Sequence, residues 1–345
     1  MEKPYKRALL LSGGGTRLAL YGGVLMALEE AHLKPDLLIA SCGGAFTSVV
    51  INAFQDNRQR KAFFQSKEYF HFVTHTKLTH HRKLHKIGWY AYLKKLNQKK
   101  APWIEDIFER YLLDALQNLS ELLPSLAHAQ FDDAIATIMI GAKILFDKDE
   151  VGQKRGTKKL FQKVLLTSEK IAQNIDIEKL KLAHKIDSQS AVSSEILIKT
   201  DMPMLYASRA SVSDMFYVAP LAFQEEHFLG GVIDLVPFEV ANLLAEELIL
   251  ERKQSYTSLE EGLIRATFGF SANNRLNEVE KQKVDYWIDT RDAPKALRGF
   301  YPQKDIDWAK FEVSLSLPSS YEKFQEDIEK QWHYGYQKTL ESINK

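Results

Sequence analysis

Two short turns rich in small residues carry the groups that could do chemistry. The first follows an apolar run and reads Ser12-Gly13-Gly14-Gly15-Thr16-Arg17. Glycines let the backbone approach a ligand closely, and N–H groups at a helix start attract negative charge. The turn could bind a phosphate or an oxyanion, or it could be a plain tight connection. Neither nucleotide motif is complete, because Thr16-Arg17 replaces the Lys-Ser/Thr of a phosphate loop and Leu18 replaces the last glycine of a dinucleotide turn.

The second turn, Ser41-Cys42-Gly43-Gly44, offers a nucleophile. A nucleophile elbow is a sharp strand-to-helix turn, usually written G-x-S-x-G. Ser41 followed by Gly43 fits half of this pattern, and Cys42 followed by Gly44 fits it equally well. Neither alignment has the leading glycine. The nucleophile is therefore either a hydroxyl or a thiol.

The elements around both turns predict an α/β protein. Each turn lies between an apolar run, at residues 8–11 and 37–40, and a segment with helical spacing. Two successive strand–turn–helix units predict a parallel sheet, with both turns at the carboxyl ends of neighbouring strands. Further along the chain, we predict a hairpin at the sheet edge and three helices. The hairpin is 135–146 with 159–167, and the helices are 103–123, 238–250 and 321–343.

These blocks resemble the patatin-like phospholipases. That family has a G-G-G-x-R/K-G turn, then P-D, an apolar strand and G-x-S-x-G-A. Here Pro35-Asp36 and Gly44-Ala45 place Cys42 at the position of the family's serine. Residues 207–211, Ala-Ser-Arg-Ala-Ser, are similar to the family's A-S-x-A-x segment. The family's catalytic aspartate, in a D-G-G or D-G-A turn, corresponds to Leu229 before Gly230 and Gly231.

The resemblance implies a three-layer α/β/α fold with a mostly parallel central sheet and a C-terminal helical extension. We predict a patatin-like domain over residues 7–245, with residues 246–345 packed on it. The implied substrate is a lipid or fatty-acyl ester, and we predict no cofactor and no metal. Gly43 and Gly44 would form the elbow and Gly230 and Gly231 the late turn. The implied oxyanion hole consists of Gly13, Gly14, Gly15, Thr16 and Arg17.

Three interpretations of the altered dyad remain open. The first is a degenerate enzyme that binds lipid or a protein partner, since Leu229 supplies no base. The second is a thiol-dependent acyl hydrolase, in which the helix N-terminus lowers the pKa of Cys42. The third uses Ser41 in the other alignment. His227 lies two residues before Leu229 and hence on the same strand face, so it could pair with Cys42 or be an exposed loop residue.

Composition limits the other function classes. The chain has 345 residues, 46 Lys and Arg against 45 Asp and Glu, and one cysteine. The near-equal numbers of basic and acidic residues do not favour a nucleic-acid-binding protein. A single cysteine excludes a disulfide within the chain. The N-terminus runs directly into the first strand, and no apolar stretch approaches the roughly 20 residues of a membrane span. We therefore expect no signal peptide and a cytoplasmic protein, with membrane association as an option.

Residues 69–104 form a segment without any acidic residue. Lysines, arginines and aromatic residues alternate in it, as they do in segments that lie on anionic membranes. A solvated basic face or a mobile cap beside the active site would have the same composition. The segment also holds half of the ten histidines. Four of them, His75, His80, His81 and His85, could bind a metal, although no standard ligand spacing supports this.

Overall fold

The computed structural model of the protein describes residues 2–13, 15–96, 100–115, 118–183 and 186–344. The strands are β1 (Tyr5–Leu11), β2 (Leu37–Ser41), β3 (Lys77–Leu78), β4 (Leu113–Asp114), β5 (Ala136–Ile144), β6 (Phe161–Leu166), β7 (Val192–Lys199), β8 (Leu221–Phe223), β9 (Glu226–Leu229), β10 (Ala245–Arg252), β11 (Tyr286–Asp289), β12 (Gln303–Asp307) and β13 (Glu312–Ser316). The helices are α1 (Ala19–Glu30), α2 (Gly43–Ala53), α3 (Asn57–Phe64), α4 (Lys67–Thr74), α5 (Leu84–Leu96), α6 (Glu169–Ala172), α7 (Ile177–Ala183), α8 (Met204–Val212), α9 (Phe238–Leu244), α10 (Ser258–Phe268), α11 (Ala272–Glu280), α12 (Ala293–Ala296) and α13 (Tyr321–Ile343).

The central sheet has the strand order β11-β10-β1-β2-β5-β6-β7. Its strands from β11 to β5 are all parallel, and β6 and β7 are parallel to each other but antiparallel to β5. Residues 8–11 of β1 and 37–40 of β2 are apolar and buried, as expected of parallel strands covered on both faces. Helices flank the sheet, which confirms the predicted three-layer α/β/α architecture. The hairpin of β5 and β6 is confirmed as antiparallel, but β7 and not β6 forms the edge.

Strand β10 crosses the predicted boundary at residue 245 and lies between β1 and β11. The predicted helix over 238–250 is therefore wrong in its second half, since α9 ends at Leu244. Leu248, Ile249 and Leu250 are buried on this strand, which has a parallel neighbour on each side. A short apolar run of this kind cannot be distinguished from a buried helix by periodicity. The sheet consequently gains two strands from the C-terminal part of the chain.

The predicted helix over 103–123 is also wrong. The described part of this segment is mostly irregular, with the two-residue strand β4 and a short 3-10 turn at Leu119–Glu121. Ile104, Ile107 and Leu123 are buried in the core from separate points of this irregular path. The burial of these side chains therefore does not depend on a helix.

The predicted C-terminal helix is confirmed as α13, which packs tightly along α1. A Cβ atom built on Gly23 would lie 1.9 Å from the Trp332 carbonyl oxygen, and one on Gly335 would lie 1.9 Å from the Leu20 carbonyl oxygen. Only glycine permits such a close backbone approach. The Trp332 ring is buried against this contact. The C-terminal helix is thus an integral part of one helix layer.

Candidate active site

Cys42 joins β2 to α2 in a strained backbone conformation. Its φ of 52° and ψ of −125° are sparsely populated by residues other than glycine. The start of α2 is pressed against β1, since a Cβ atom built on Gly44 would lie 1.9 Å from the Leu11 carbonyl oxygen. A sharp strand-to-helix turn of this kind presents its central side chain at the end of the sheet.

The glycine turn lies directly against this elbow. A Cβ atom built on Gly13 would lie 2.4 Å from Cβ and 2.8 Å from Sγ of Cys42. Gly15, with a φ of +65°, lines the same cavity as Cys42, together with Thr16 and Arg17. Gly14 lies outside the described residues. The structure therefore brings the described part of the predicted oxyanion turn next to the thiol.

Helix α8 holds the elbow from the other side. The Cys42 N–H donates to Ser211 Oγ at 2.9 Å, and that hydroxyl donates to the Ile140 carbonyl oxygen at 2.6 Å. The late glycine turn joins the same group of elements. A Cβ atom on Gly231 would lie 3.2 Å from Cys42 N, and one on Gly230 would lie 2.7 Å from the Ser211 carbonyl oxygen. Elbow, α8 and late turn thus form one packed unit.

A buried ionic cluster fixes the end of the late turn. Asp234 binds Lys163, and both side chains are 1% exposed. Arg275 Nη2 lies 3.3 Å from the same carboxylate and also binds Glu239. Buried charges of this kind must be paired to be tolerated. Side chains from β6 and α11 therefore anchor the 3-10 turn at Gly231–Asp234.

Cys42 faces a cavity of about 1440 Å³. This is larger than the roughly 300–1,000 Å³ of typical small-molecule pockets. The wall is mainly apolar and includes Phe46, Tyr69, Phe72, Met215, Val232 and Ile264. Loops and strands beyond residue 250 complete it through Tyr256, Tyr301 and Leu315. A long flexible apolar ligand would fit such a space.

Comparison with known proteins decides the family. A model described as patatin-like phospholipase matches residues 9–241, which is most of the chain. The chain belongs to the patatin-like phospholipase family. A structural search also returns the crystal structure of VipD from Legionella pneumophila, at 10% identity and a TM-score of 0.35, covering 98% of this chain and 67% of that one. No curated protein sequence matches the chain. Within its described residues, no helix is both long and apolar enough to cross a bilayer.

Three sequence-predicted residues of this patatin-like site lie outside the cavity. Leu229 is completely buried on β9, paired with Ala142 of β5. The His227 ring packs edge-on against Phe108, with 5.3 Å between the ring centroids. His227 is a half-buried residue of β9 outside the cavity lining, so it is neither paired with Cys42 nor an exposed loop residue. Ser41 is also completely buried, and its Oγ donates to the Leu235 carbonyl oxygen at 2.7 Å. The Ser41 interpretation is therefore wrong.

The surroundings of Cys42 favour its protonated thiol over the thiolate. Burial raises the pKa of Cys42 to about 11, and the negative charge of Asp214 acts in the same direction. The Gly43 N–H and the Lys253 ammonium oppose this shift without cancelling it. The expectation that the helix N-terminus lowers this pKa is therefore wrong, because desolvation of the thiolate outweighs the helix dipole.

Asp214 is a cavity residue that sequence analysis missed. It lies two residues after the end of α8 and lines the cavity, and its Oδ1 atom is buried. That atom has no hydrogen-bond partner within the part of the chain that the structure describes. Burial raises the pKa of Asp214 to about 7. Its position three residues after the patatin-like segment at 207–211 was the only available signal.

Two cations also approach Cys42 and were not predicted together. Lys253 directly follows β10, which is parallel to β1, so it reaches the edge of the sheet that carries the glycine turn. Its Nζ is buried, 3.5 Å from a Glu251 carboxylate oxygen. Arg17 lies over the Tyr301 ring at 5.0 Å. The positive charges of Arg17 and Lys253 favour an anion at this edge of the sheet. Lys253 was missed because most of β10 was predicted as a helix.

Proposed function

We propose that this patatin-like protein binds long-chain acyl esters and hydrolyses them slowly through a thioester on Cys42. The observation that carries the proposal is the strained elbow, which presents a thiol to a large apolar cavity beside a glycine turn. Non-glycine residues keep such backbone strain where the surrounding structure enforces it, and these places are frequently functional.

The reaction follows the chemistry of acyl transfer. Sγ of Cys42 attacks the ester carbonyl carbon, the thiol proton passes to the leaving alkoxide, and a thioester and an alcohol result. Water then attacks the thioester, releases the fatty acid and restores the thiol. Backbone N–H groups of the glycine turn would stabilise both oxyanions, and each such donor contributes about 3 to 4 kcal/mol in known enzymes. The positive charges of Arg17 and Lys253 act in the same direction.

Slow turnover follows from the state of the thiol. Because burial raises the pKa of Cys42 to about 11, little of the protein carries a thiolate at pH 7. A base must therefore accept the thiol proton while Sγ of Cys42 attacks the ester carbonyl carbon. Incubation with p-nitrophenyl butyrate followed by mass spectrometry tests the proposal, since a butyryl adduct on Cys42 and catalytic release of butyrate are expected. An unmodified Cys42 after prolonged incubation would contradict it.

A second candidate function is lipid binding without turnover. Its support is Leu229 at the family's aspartate position, together with the raised pKa of Cys42. In this case a fluorescent fatty acid would bind with the same affinity to the wild type and to Cys42→Ala, and no acyl adduct would form. Binding combined with an adduct would favour the hydrolase instead.

We further propose that the protein meets its substrate at an anionic membrane. Trp89 on α5 is 65% exposed beside the cavity, and Trp308, in the turn between β12 and β13, is 72% exposed. The two elements touch, because the Leu84 N–H donates to the Phe311 carbonyl oxygen at 3.1 Å. Part of the basic charge of residues 69–104 is already neutralised, with Glu312 bound by Arg82 and Lys83. The aromatic side chains therefore contribute to the binding beside the remaining lysines.

Co-sedimentation with vesicles tests this surface. We expect binding to vesicles containing phosphatidylserine, with weaker binding at high salt because surface charges are screened. The double change Trp89→Ala with Trp308→Ala should lower the bound fraction several-fold. Leu182→Ala is the matched control, since Leu182 is a 79% exposed apolar residue on α7, outside the cavity lining. Equal binding to neutral vesicles, or equal effects of both changes, would reject the proposal.

A further inference from the structure

We propose that Asp214 takes over the task of the carboxylate that is missing at position 229, and carries the proton between Cys42, the leaving alcohol and water. This inference rests on the proposed hydrolase function and adds a catalytic residue to it. The carboxylate comes from a different element, the segment after α8, and not from the strand and turn after β9.

Packing places Asp214 in the same unit as the elbow. Ser211, three residues earlier, accepts the Cys42 N–H, and the carbonyl oxygen of Ser213 lies 2.3 Å from a Cβ built on Gly230. The end of α8 is thus wedged between the elbow and the late turn. Both Asp214 and Cys42 line the cavity, and their charges are close enough to influence each other. An ester bound at the thiol would therefore lie in the same cavity as the Asp214 side chain.

Two other carboxyl groups that line the cavity are differently engaged. Glu260 caps α10, where one of its oxygens accepts from Thr257 N and Oγ1, both at 2.9 Å. Asp114 is exposed on β4. Asp214 instead has a buried Oδ1 atom without a hydrogen-bond partner among the described residues. A buried acceptor without a partner is costly and is expected to bind a ligand group or water.

The surroundings of Asp214 set its proton affinity. The titratable and charged groups that face it are Cys42, Tyr217, Tyr256, Glu260 and Lys304. Desolvation raises the pKa of Asp214 to about 7, against a smaller opposing effect of the Lys304 ammonium. A general base is most efficient when its pKa is close to the working pH. Asp214 meets this condition at neutral pH.

The proton balance closes over one cycle. As the Cys42 Sγ–carbon bond forms, Asp214 accepts the thiol proton, and it passes this proton to the alkoxide when the carbon–oxygen bond breaks. In the second step Asp214 accepts a proton from the attacking water. It returns that proton to Sγ when the thioester bond breaks, so no further acid or base is consumed.

The test compares two reactions of Cys42 in Asp214→Asn. Acylation by p-nitrophenyl butyrate should fall about 100-fold, within the range of general-base catalysis. Alkylation by iodoacetamide at pH 8 should become several-fold faster, because loss of the negative charge lowers the pKa of the thiol. A merely structural role would not move these two rates in opposite directions. Asp149→Asn, which changes an exposed carboxyl outside the lining of the cavity, should leave both rates unchanged.

The pH dependence gives two further readouts. The rate of wild-type acylation should rise with pH through about 7, and the rate of the Asp214→Asn variant should not show this rise.

The stability of the protein should also depend on the charge of Asp214. Between pH 4 and 7 the folded protein holds a proton on Asp214 that the unfolded chain has released, so this group lowers stability as pH rises over that range. Asp214→Asn should therefore raise Tm at pH 8.

The outcomes separate this inference from the proposed function. Equal acylation rates and pH profiles in wild type and Asp214→Asn would reject the role of Asp214 and leave the hydrolase intact. Absence of any acyl adduct in the wild type would overturn both proposals. The alkylation profiles would then still report the charge coupling between the two side chains.

Discussion

Replacing Cys42 by alanine is expected to abolish acyl labelling and to reduce ester hydrolysis to the uncatalysed rate. The thiol supplies the only bond to the acyl group in the proposed reaction, so no residual covalent pathway remains. Cys42 is also the only cysteine, which makes any thiol-directed label unambiguous. Mass spectrometry of the intact protein and p-nitrophenol release measure both effects. Hydrolysis at the wild-type rate in Cys42→Ala would reject the nucleophile.

Neighbouring substitutions provide the controls for this experiment. Ser41→Ala removes a hydroxyl that is buried and bonded to the Leu235 carbonyl oxygen, so labelling of Cys42 should persist. Cys42→Ser keeps the elbow but has a hydroxyl that ionises far less readily than a thiol. We expect its acylation to fall by two orders of magnitude or more. Higher activity in Cys42→Ser would indicate that the site is organised for a hydroxyl.

Leu229→Asp is expected to destabilise the fold without restoring an acid. The resemblance to the family suggests that Cys42→Ser combined with Leu229→Asp would rebuild a dyad. The structure instead shows Leu229 completely buried on β9, outside the lining of the cavity. A carboxyl group at position 229 would be removed from water but would not face the cavity. This desolvation should lower the free energy of unfolding by several kcal/mol. Denaturant unfolding should show the loss, and esterase assays should show no gain.

Leu229→Met is the matched control, because it keeps an apolar side chain of similar volume. Such exchanges in a core usually cost less than about 1.5 kcal/mol. A stable Leu229→Asp variant with new esterase activity would mean that the side chain at 229 reaches the thiol. That result would also remove the need for a carboxylate from another element.

The amino-acid sequence alone determined the family, the elbow and the order of the first two strand–turn–helix units. These features depend on local chemistry, because a tight turn before a helix requires glycine at particular positions. Pro35-Asp36 set the alignment that selected Cys42 over Ser41. The structure gives a reason for that aspartate, whose carboxylate accepts from the Lys6 and Arg7 N–H groups at 2.9 and 2.8 Å.

Only the tertiary structure decided which charged groups meet the thiol. Asp214 and Lys253 are separated from Cys42 by more than 170 residues, and the only local signal is that Asp214 follows the patatin-like segment at 207–211. Lys253 reaches the site because residues 245–252 form a strand between β1 and β11. That assignment depends on the two partner strands more than on the periodicity of the segment itself. The direction of the pKa shift of Cys42 also depended on tertiary burial. A local pattern gives the helix dipole, but the desolvation that outweighs it comes from walls contributed by distant parts of the chain.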